Sequence, residues 1–286
     1  TNLDTLGKVQ ALHDSEPPIK IANPMSSELE YLRTTLRGSI IQTLSYNRRV
    51  VQSAGIKLFE IGNTYLPTEE TANHGLPNEK EMLIGIFSGP RFTSSWQGSW
   101  ANMDFFDAKG VLESMFDKLG AEVEYESAQD TIMRPGRTAR LVCNGHYVGI
   151  VGELLPSVLE CFALECGAVA LLEIDMGSLR QAVPETGRGY QASNRFPEAS
   201  RDLAILVDVS VPSASIQSII RDHKLVVRSS AFDVYSGGAV PAGKKSIAYN
   251  VMFQSSSGTL TSQQIDRAQQ DILLRLKQHL GAQLRE

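Results

Sequence analysis

Two periodicities of apolar residues alternate along the first two thirds of the chain and predict a mixed α+β domain. Apolar residues recur at helical spacing over 29–44 and 107–119, and Ser27 with Glu30 has the spacing of a capping box, so the first helix is expected to begin there. Alternating or continuous apolar runs predict five strands: 57–66, 82–88, 138–143, 147–151 and 169–174. The third and fourth flank Asn144-Gly145, a dipeptide typical of hairpin turns, which predicts an antiparallel sheet.

The last ninety residues predict a different, smaller unit. Strand patterns at 203–207, 226–235, 245–253 and 282–285 alternate with helix patterns at 212–223 and after the Thr261–Gln264 capping box. This order predicts a split βαβ domain in which both helices cover one face of the sheet and leave the other face open. The breaker-rich segment 184–189 separates the two patterns, so we assign one domain to 1–188 and the other to 194–286.

Composition and charge exclude several classes of protein. The chain has 286 residues and a net charge of −5, yet residues 194–286 hold 11 Lys and Arg against 8 Asp and Glu, so an anionic partner is expected there. No apolar run approaches the ~20 residues of a membrane-spanning helix. Three scattered cysteines predict reduced thiols and a cytoplasmic protein, and five scattered histidines predict no zinc site.

Strand alternation predicts a polar cluster on the open face of the second domain. If Phe232 and Val234 face the helices, then Asp233 and Tyr235 face outward, and Ser246 of the neighbouring strand joins them. A tyrosine ring can stack on an unpaired base, and a carboxylate can accept hydrogen bonds from a base edge. The alternative is an ordinary exposed tyrosine with polar neighbours.

The loop before the third strand of this domain contains two lysines in a near match to a phosphate-binding loop. Residues 238–245 end in Gly-Lys, but Lys245 stands where a P-loop has Ser or Thr, and the loop joins two strands. We therefore expect no nucleotide triphosphate site, and assign Lys244 and Lys245 as candidate contacts to RNA phosphates.

The charged motifs of the first domain indicate no catalytic centre. Arg134 and Arg137 flank a turn, where they are candidates to anchor it, to contact a partner subunit or to bind a substrate. Asp104, Asp107 and Glu113 have the spacing of charges at a helix start rather than of paired catalytic carboxylates.

Several motifs, in order and nearly end to end, resemble the C-terminal part of the beta subunit of bacterial phenylalanyl-tRNA synthetases. They are Asn23-Pro24-Met25-Ser26, Leu32-Arg33-Thr34-Thr35-Leu36, Leu58-Phe59-Glu60-Ile61-Gly62, Asp104-Phe105-Phe106-Asp107-Ala108-Lys109-Gly110, Arg134-Pro135-Gly136-Arg137, Gly149-Ile150-Val151-Gly152-Glu153 and Arg195-Phe196-Pro197 with Arg201-Asp202. Two departures are that the family usually has His where Arg134 stands, and that the chain begins within the first of the two family domains, which leads us to expect a truncated fragment.

The resemblance implies a class II synthetase-like domain without catalysis, followed by a ferredoxin-fold anticodon-binding domain. It implies that the catalytic alpha subunit and phenylalanine tRNA are partners in an alpha2beta2 enzyme that uses ATP and magnesium. The class II Phe-Arg-x-Glu motif would correspond to Tyr65-Leu66-Pro67-Thr68, which lacks the arginine that neutralises the ATP α-phosphate, so no cofactor is expected in this chain. In the family, the counterparts of Asp233, Tyr235 and Ser246 bond the edge of the first anticodon base, stack on it and hydrogen-bond beside it.

Two other functions stay open from the sequence. A ferredoxin-like domain can bind a small metabolite as a regulatory module, and the whole chain can serve as a scaffold for subunit contacts alone.

Overall fold

The chain divides into two units, Thr1–Gly189 and Tyr190–Glu286. The structure is a computed structural model that describes residues 1–11, 17–51, 54–68, 75–92, 96, 101–183, 194–237 and 240–285. The predicted boundary segment, 184–189, lies outside the described residues.

The first unit is built on a six-stranded sheet in which every neighbouring pair is antiparallel. Its strands are β1 Ile56–Leu66, β2 Asn78–Ser88, β3 Val123–Ser127, β4 Met133–Cys143, β5 His146–Leu154 and β6 Val169–Asp175. Their order across the sheet is β1-β2-β6-β5-β4-β3. The predicted α+β class is thereby confirmed, and β3 is a strand that the sequence pattern did not predict.

Helices cover both faces of this sheet. They are α1 Leu3–Lys8, α2 Arg37–Val50, α3 Phe105–Leu119, α4 Pro156–Cys161 and α5 Met176–Ala182. Ile84 and Ile86 of β2 pack in a core with α2, whereas Phe87 packs in a second core with α3. Because neighbouring residues of a strand point to opposite faces, these two cores lie on opposite sides of the sheet.

The predicted start of the first long helix is wrong. Residues Ser27–Leu29 form only a single 3-10 turn, and α2 begins at Arg37, ten residues after Ser27. The backbone of the intervening segment pairs with an earlier one: Ile21 N donates to Glu30 O at 2.8 Å, and Leu32 N donates to Ile19 O at 2.9 Å. These groups are therefore unavailable for helical hydrogen bonds.

The second unit is a four-stranded antiparallel sheet covered on one face by two helices. Its strands are β7 Ala199–Asp208, β8 Val226–Tyr235, β9 Lys244–Phe253 and β10 Gln283–Leu284, in the order β10-β7-β9-β8, and its helices are α6 Ser213–Arg221 and α7 Ser262–Leu280. The predicted Thr261–Gln264 capping box is present, and Gly281 ends α7 in the left-handed region at a φ of 61°.

Alternate residues of β9 build the core of this unit. Ile247, Tyr249, Val251 and Phe253 are all buried against the two helices, as the sequence predicts. The residues between them, including Ser246, consequently face the other side of the sheet.

Strand β8 lies at the edge of the sheet and contains two β-bulges. Val227 and Phe232 are extra residues, because Val226 and Arg228 pair with consecutive residues of β9, as do Ala231 and Asp233. The prediction that Phe232 and Val234 are buried is wrong, since their exposed fractions are 60% and 61%. Phe232 is displaced by its bulge, and Val234, although opposite buried Ile247, lies on the outermost strand.

Candidate nucleic-acid interface

The register of the second sheet places Asp233, Tyr235 and Ser246 on the open face. Residues directly opposite each other in an antiparallel pair share a face. Tyr235 lies opposite Ser246, and Asp233 lies opposite Ala248, which is two residues further along β9. The structure thus brings together the three side chains that sequence reasoning selected, although the buried neighbours assumed in that reasoning are exposed.

These side chains surround a shallow hollow of about 300 Å³. It is lined by Ala204, Asp233, Tyr235, Ser246, Ala248 and Arg285. The two alanines leave space between the polar groups, since neither side chain extends beyond its methyl. Ser246 is only 4% exposed and lies deep in the hollow, whereas 43% of Tyr235 is exposed, so the tyrosine ring offers an accessible surface.

Arg285 is a residue of this hollow that the sequence reasoning missed. Its backbone N–H donates to Ala204 O at 2.8 Å, and its Cζ atom lies 5.0 Å from the centroid of the Tyr235 ring. A guanidinium over an aromatic face at an exposed site stabilises by about 0.5–1 kcal/mol. The pairing of β10 with β7 puts Arg285 on the same face as Ala204, but a strand of two residues shows too little alternation to predict this from the sequence.

The two candidate lysines face opposite sides of the sheet. Lys244 lies opposite Asp208 and shares the open face with Ser246, whereas Lys245 lies opposite buried Val207, on the helix side. Lys245 Nζ also donates to Val209 O at 2.9 Å. Only Lys244 is therefore on the same face as the hollow.

The charge of Asp208 balances that of Lys244 at this end of the face. Hydrogen bonds from the Ser210 hydroxyl and backbone N–H, with a smaller contribution from Lys244 and Lys245, lower the pKa of the Asp208 carboxyl. Asp208 is consequently ionised at neutral pH and partly offsets the attraction of Lys244 for a phosphate.

The hollow has the chemistry of a base-binding site. The Tyr235 ring is a stacking surface, the Asp233 carboxylate accepts hydrogen bonds, and the Ser246 hydroxyl can donate or accept. Unpaired bases of RNA are held by this combination of ring stacking and edge hydrogen bonds.

In the first unit, the conspicuous charges serve local structure. The Glu153 carboxylate, whose side chain is 4% exposed, accepts from Arg134 Nη1 and Arg137 Nη1, both at 3.3 Å, and from Phe105 N at 3.3 Å. The two arginines are half-exposed, and their contacts to Glu153 support the interpretation that they anchor their turn.

The acidic residues near the start of α3 behave as expected from their spacing. Asp104 caps the helix and forms a capping box with Asp107, while Glu113 pairs with Lys109 one turn along the helix. Within the described ranges, no group of three or more His, Cys, Asp or Glu residues is arranged to hold a metal ion. In the described parts of the chain, no helix is both long and apolar enough to cross a membrane.

Comparison with known proteins identifies the family. Residues 1–176 match the family model described as the phenylalanyl tRNA synthetase beta chain CLM domain. The chain belongs to the phenylalanyl-tRNA synthetase beta chain family. Residues 194–285 match a second model, the ferredoxin-fold anticodon binding domain, so the resemblance seen in the sequence is confirmed over both units.

Curated relatives agree with this assignment. The phenylalanine–tRNA ligase beta subunit of Dehalococcoides mccartyi strain 195 is 36% identical over 267 residues, which cover 93% of this chain and 32% of that protein. The beta subunit from strain CBDB1 is 34% identical over the whole chain and 34% of its own length. The beta subunit of Geobacillus kaustophilus is 36% identical over 279 residues, or 96% of this chain and 34% of that protein. The chain therefore spans about a third of the length of these relatives.

Proposed function

We propose that this chain acts as a non-catalytic part of the beta subunit of phenylalanine–tRNA ligase. Its second unit binds the anticodon region of phenylalanine tRNA, and its first unit supports the catalytic alpha subunit in a cytoplasmic alpha2beta2 enzyme. The observation that supports tRNA binding is the hollow on the open face, where Tyr235, Asp233 and Ser246 surround a space lined by two alanines.

Tyr235 stacks on the first anticodon base in this proposal, while Asp233 and Ser246 bond its edge. The incoming base takes the place of the Arg285 guanidinium on the ring. Because the Arg285 backbone is tied to Ala204 O, the displaced side chain stays beside the hollow, where it can contact a phosphate.

The role of the first unit as a support is consistent with an exposed apolar strip. Phe59 and Ile61 lie two residues apart on β1, so they point to the same face, and both are exposed. β1 is an edge strand, which leaves this strip accessible to another subunit.

ATP and magnesium belong to the catalytic subunit in this proposal. Tyr65-Leu66-Pro67-Thr68, at the end of β1, offers neither a guanidinium for a phosphate nor a carboxylate for a metal ion. These residues do not suit the nucleotide, so no reaction step is assigned to this chain.

Substitution of Tyr235 tests the proposed site. We expect Tyr235→Ala to weaken binding of phenylalanine tRNA by ~1–3 kcal/mol, because one stacking surface is lost. Filter binding measures the affinity of the unaltered chain and the variant for unmodified tRNA and for a tRNA with a mismatched anticodon. Tyr46→Ala is the matched control, because Tyr46 is an exposed tyrosine on α2. Equal affinity of the Tyr235→Ala variant and the unaltered chain would remove the hollow from the proposal.

A further inference from the structure

The open face continues beyond the hollow as a row of three polar side chains, Asp202, Asn250 and Ser230, which we call the Asn250 row. Asn250 of β9 lies opposite Asp202 of β7 on one side and opposite Ser230 of β8 on the other. In the next row, Met252 lies opposite Arg228. Since directly opposite residues share a face, these rows are on the same side of the sheet as the hollow.

The Asn250 amide is held in one orientation. Its Nδ2 atom donates to Asp202 Oδ1 at 2.7 Å. A carboxylate only accepts hydrogen bonds, so the amide must turn its nitrogen toward β7 and its carbonyl oxygen away from it. The row therefore presents an oriented acceptor at Asn250 beside the exposed hydroxyl of Ser230.

The spacing of the rows separates this group from the hollow. Asn250 is two residues beyond Ala248 along β9, which corresponds to about 7 Å. A base seated on Tyr235 and Asp233 consequently leaves the Asn250 row uncovered. Arg228 lies one row further on, and among the described residues no carboxylate is within ion-pair distance of its guanidinium.

We propose that the Asn250 row is a second nucleotide subsite, which binds the nucleotide adjoining the one held by Tyr235. Asn250 Oδ1 and the Ser230 hydroxyl bond the edge of this second base, Met252 contacts its apolar surface, and Arg228 contacts its phosphate. The inference rests on the proposed function. A continuous single strand of RNA suits the site, because the polar rows adjoin the hollow on a sheet face that α6 and α7 leave uncovered.

The test combines protein variants with tRNAs that lack one base. Affinity is measured for phenylalanine tRNA carrying a single abasic nucleotide at each anticodon position in turn, with the unaltered chain and with Asn250→Ala, Ser230→Ala, Arg228→Gln and Tyr235→Ala. We expect Asn250→Ala to weaken binding of the intact tRNA roughly 3- to 10-fold, because it removes one or two hydrogen bonds. With the tRNA that lacks the base bound by Asn250, the Asn250→Ala variant and the unaltered chain should bind equally well. The abasic position at which this occurs should differ from the abasic position at which Tyr235→Ala ceases to weaken binding.

One control and one second subsite variant separate effects on binding from effects on folding. Arg267→Gln, on α7, matches Arg228→Gln without touching the open face, and should bind as the unaltered chain does. Ser230 is exposed, so we expect Ser230→Ala to leave the fold intact. It therefore tests the subsite if thermal unfolding shows that Asn250→Ala destabilises the unit.

The remaining outcomes overturn one proposal or both. If Tyr235→Ala weakens binding while the Asn250, Ser230 and Arg228 variants do not, the second subsite is wrong and the proposed function stands. If the Asn250→Ala and Tyr235→Ala losses disappear at the same abasic position, a single nucleotide occupies both rows and the inference is again wrong. If the unaltered chain binds no tRNA, or Tyr235→Ala has no effect, the proposed function fails as well.

Discussion

His223, two residues beyond the end of α6, has a charge state that is coupled to the stability of the second unit. The residue is buried, its Nδ1 atom accepts from Leu225 N at 3.3 Å, and its Nε2 atom lies 3.7 Å from Asp271 Oδ2. Burial lowers the pKa of His223, and the nearby Asp271 carboxylate opposes this effect only in part. A protonated ring cannot accept from Leu225, so the neutral form is the one that the fold stabilises.

We therefore expect the second unit to lose stability as the pH falls below about 6.5, the ordinary value for histidine. In that range the unfolded chain binds a proton at His223 that the folded chain does not, so the free energy of unfolding decreases until the pH passes the lowered pKa of the folded state. Urea unfolding at a series of pH values between 8 and 5 measures the effect. His223→Gln should flatten this part of the profile relative to the unaltered chain, and parallel profiles would contradict the assignment.

Alternation of apolar and polar residues along two neighbouring strands predicts which residues of the candidate site share a face. Asp233, Tyr235 and Ser246 were found together because each lies on a strand with a clear pattern. Arg285 was missed because β10 pairs over only two residues and shows almost no pattern of its own. Phe232 and Val234 are exposed although the pattern predicts them to be buried, because apolar alternation reveals neither the bulge at Phe232 nor the edge position of β8.

At the scale of elements, the edge strand β8 is protected by a side chain from α6. Arg221 Nε donates to Ser229 Oγ at 3.3 Å, and its Nη2 donates to Ser229 O at 3.4 Å. Gln217 Nε2 of the same helix also donates to Ser229 O, at 3.5 Å, and β8 is the outermost strand of its sheet. Exposed strand edges promote pairing between chains, and a cation placed at the edge opposes it.

Removal of this cation should expose the edge. We expect Arg221→Ala to lower the free energy of unfolding by ~1 kcal/mol, the typical value of a lost hydrogen bond, and to increase association at high protein concentration. Urea unfolding and light scattering over a concentration series check the two effects. Arg267→Ala, a change of an exposed arginine on α7, is the matched control and should leave both measurements unchanged.

The elements that the sequence predicted correctly are those stabilised by local signals. β8 has its predicted bounds, and α7 begins at its predicted cap, because alternation and capping act between near neighbours. The helix expected from residue 27 does not form there, since residues 30–32 bond to the backbone of 19–21 instead. The spacing of apolar residues along the chain does not predict such pairing between separate backbone segments.

The attraction of the protein for tRNA is expected to depend on the charge of the open face of the second unit rather than on the net charge of −5 of the chain. By register, the strand residues of this face that the structure describes, together with Arg285, include three cations and three carboxylates. They are Arg228, Lys244 and Arg285, and Asp202, Asp208 and Asp233. Because these charges balance, tRNA binding is expected to depend on contacts to bases at least as much as on attraction to phosphates.

The salt dependence of tRNA binding measures this balance. With at most three phosphate contacts to a single-stranded loop, the logarithm of the affinity should fall with the logarithm of the salt concentration with a slope of about −2. Lys244→Gln should make the slope shallower by about 0.7, whereas Lys245→Gln should leave it unchanged, because Lys245 faces the helix side. Equal effects of the two lysine variants would contradict the assignment of Lys244 alone to the open face.

Because of its bulges, β8 tolerates the loss of a residue better than its neighbour β9 does. Val226–Tyr235 has two residues more than the eight of β9 that it faces, Ser246–Phe253. Deletion of Val227 or Phe232 would remove one of these two extra residues and leave Asp233 and Tyr235 on the open face. Loss of one residue from within β9, which has no surplus, would turn Ser246 toward the helices and dismantle the hollow while leaving every named side chain present.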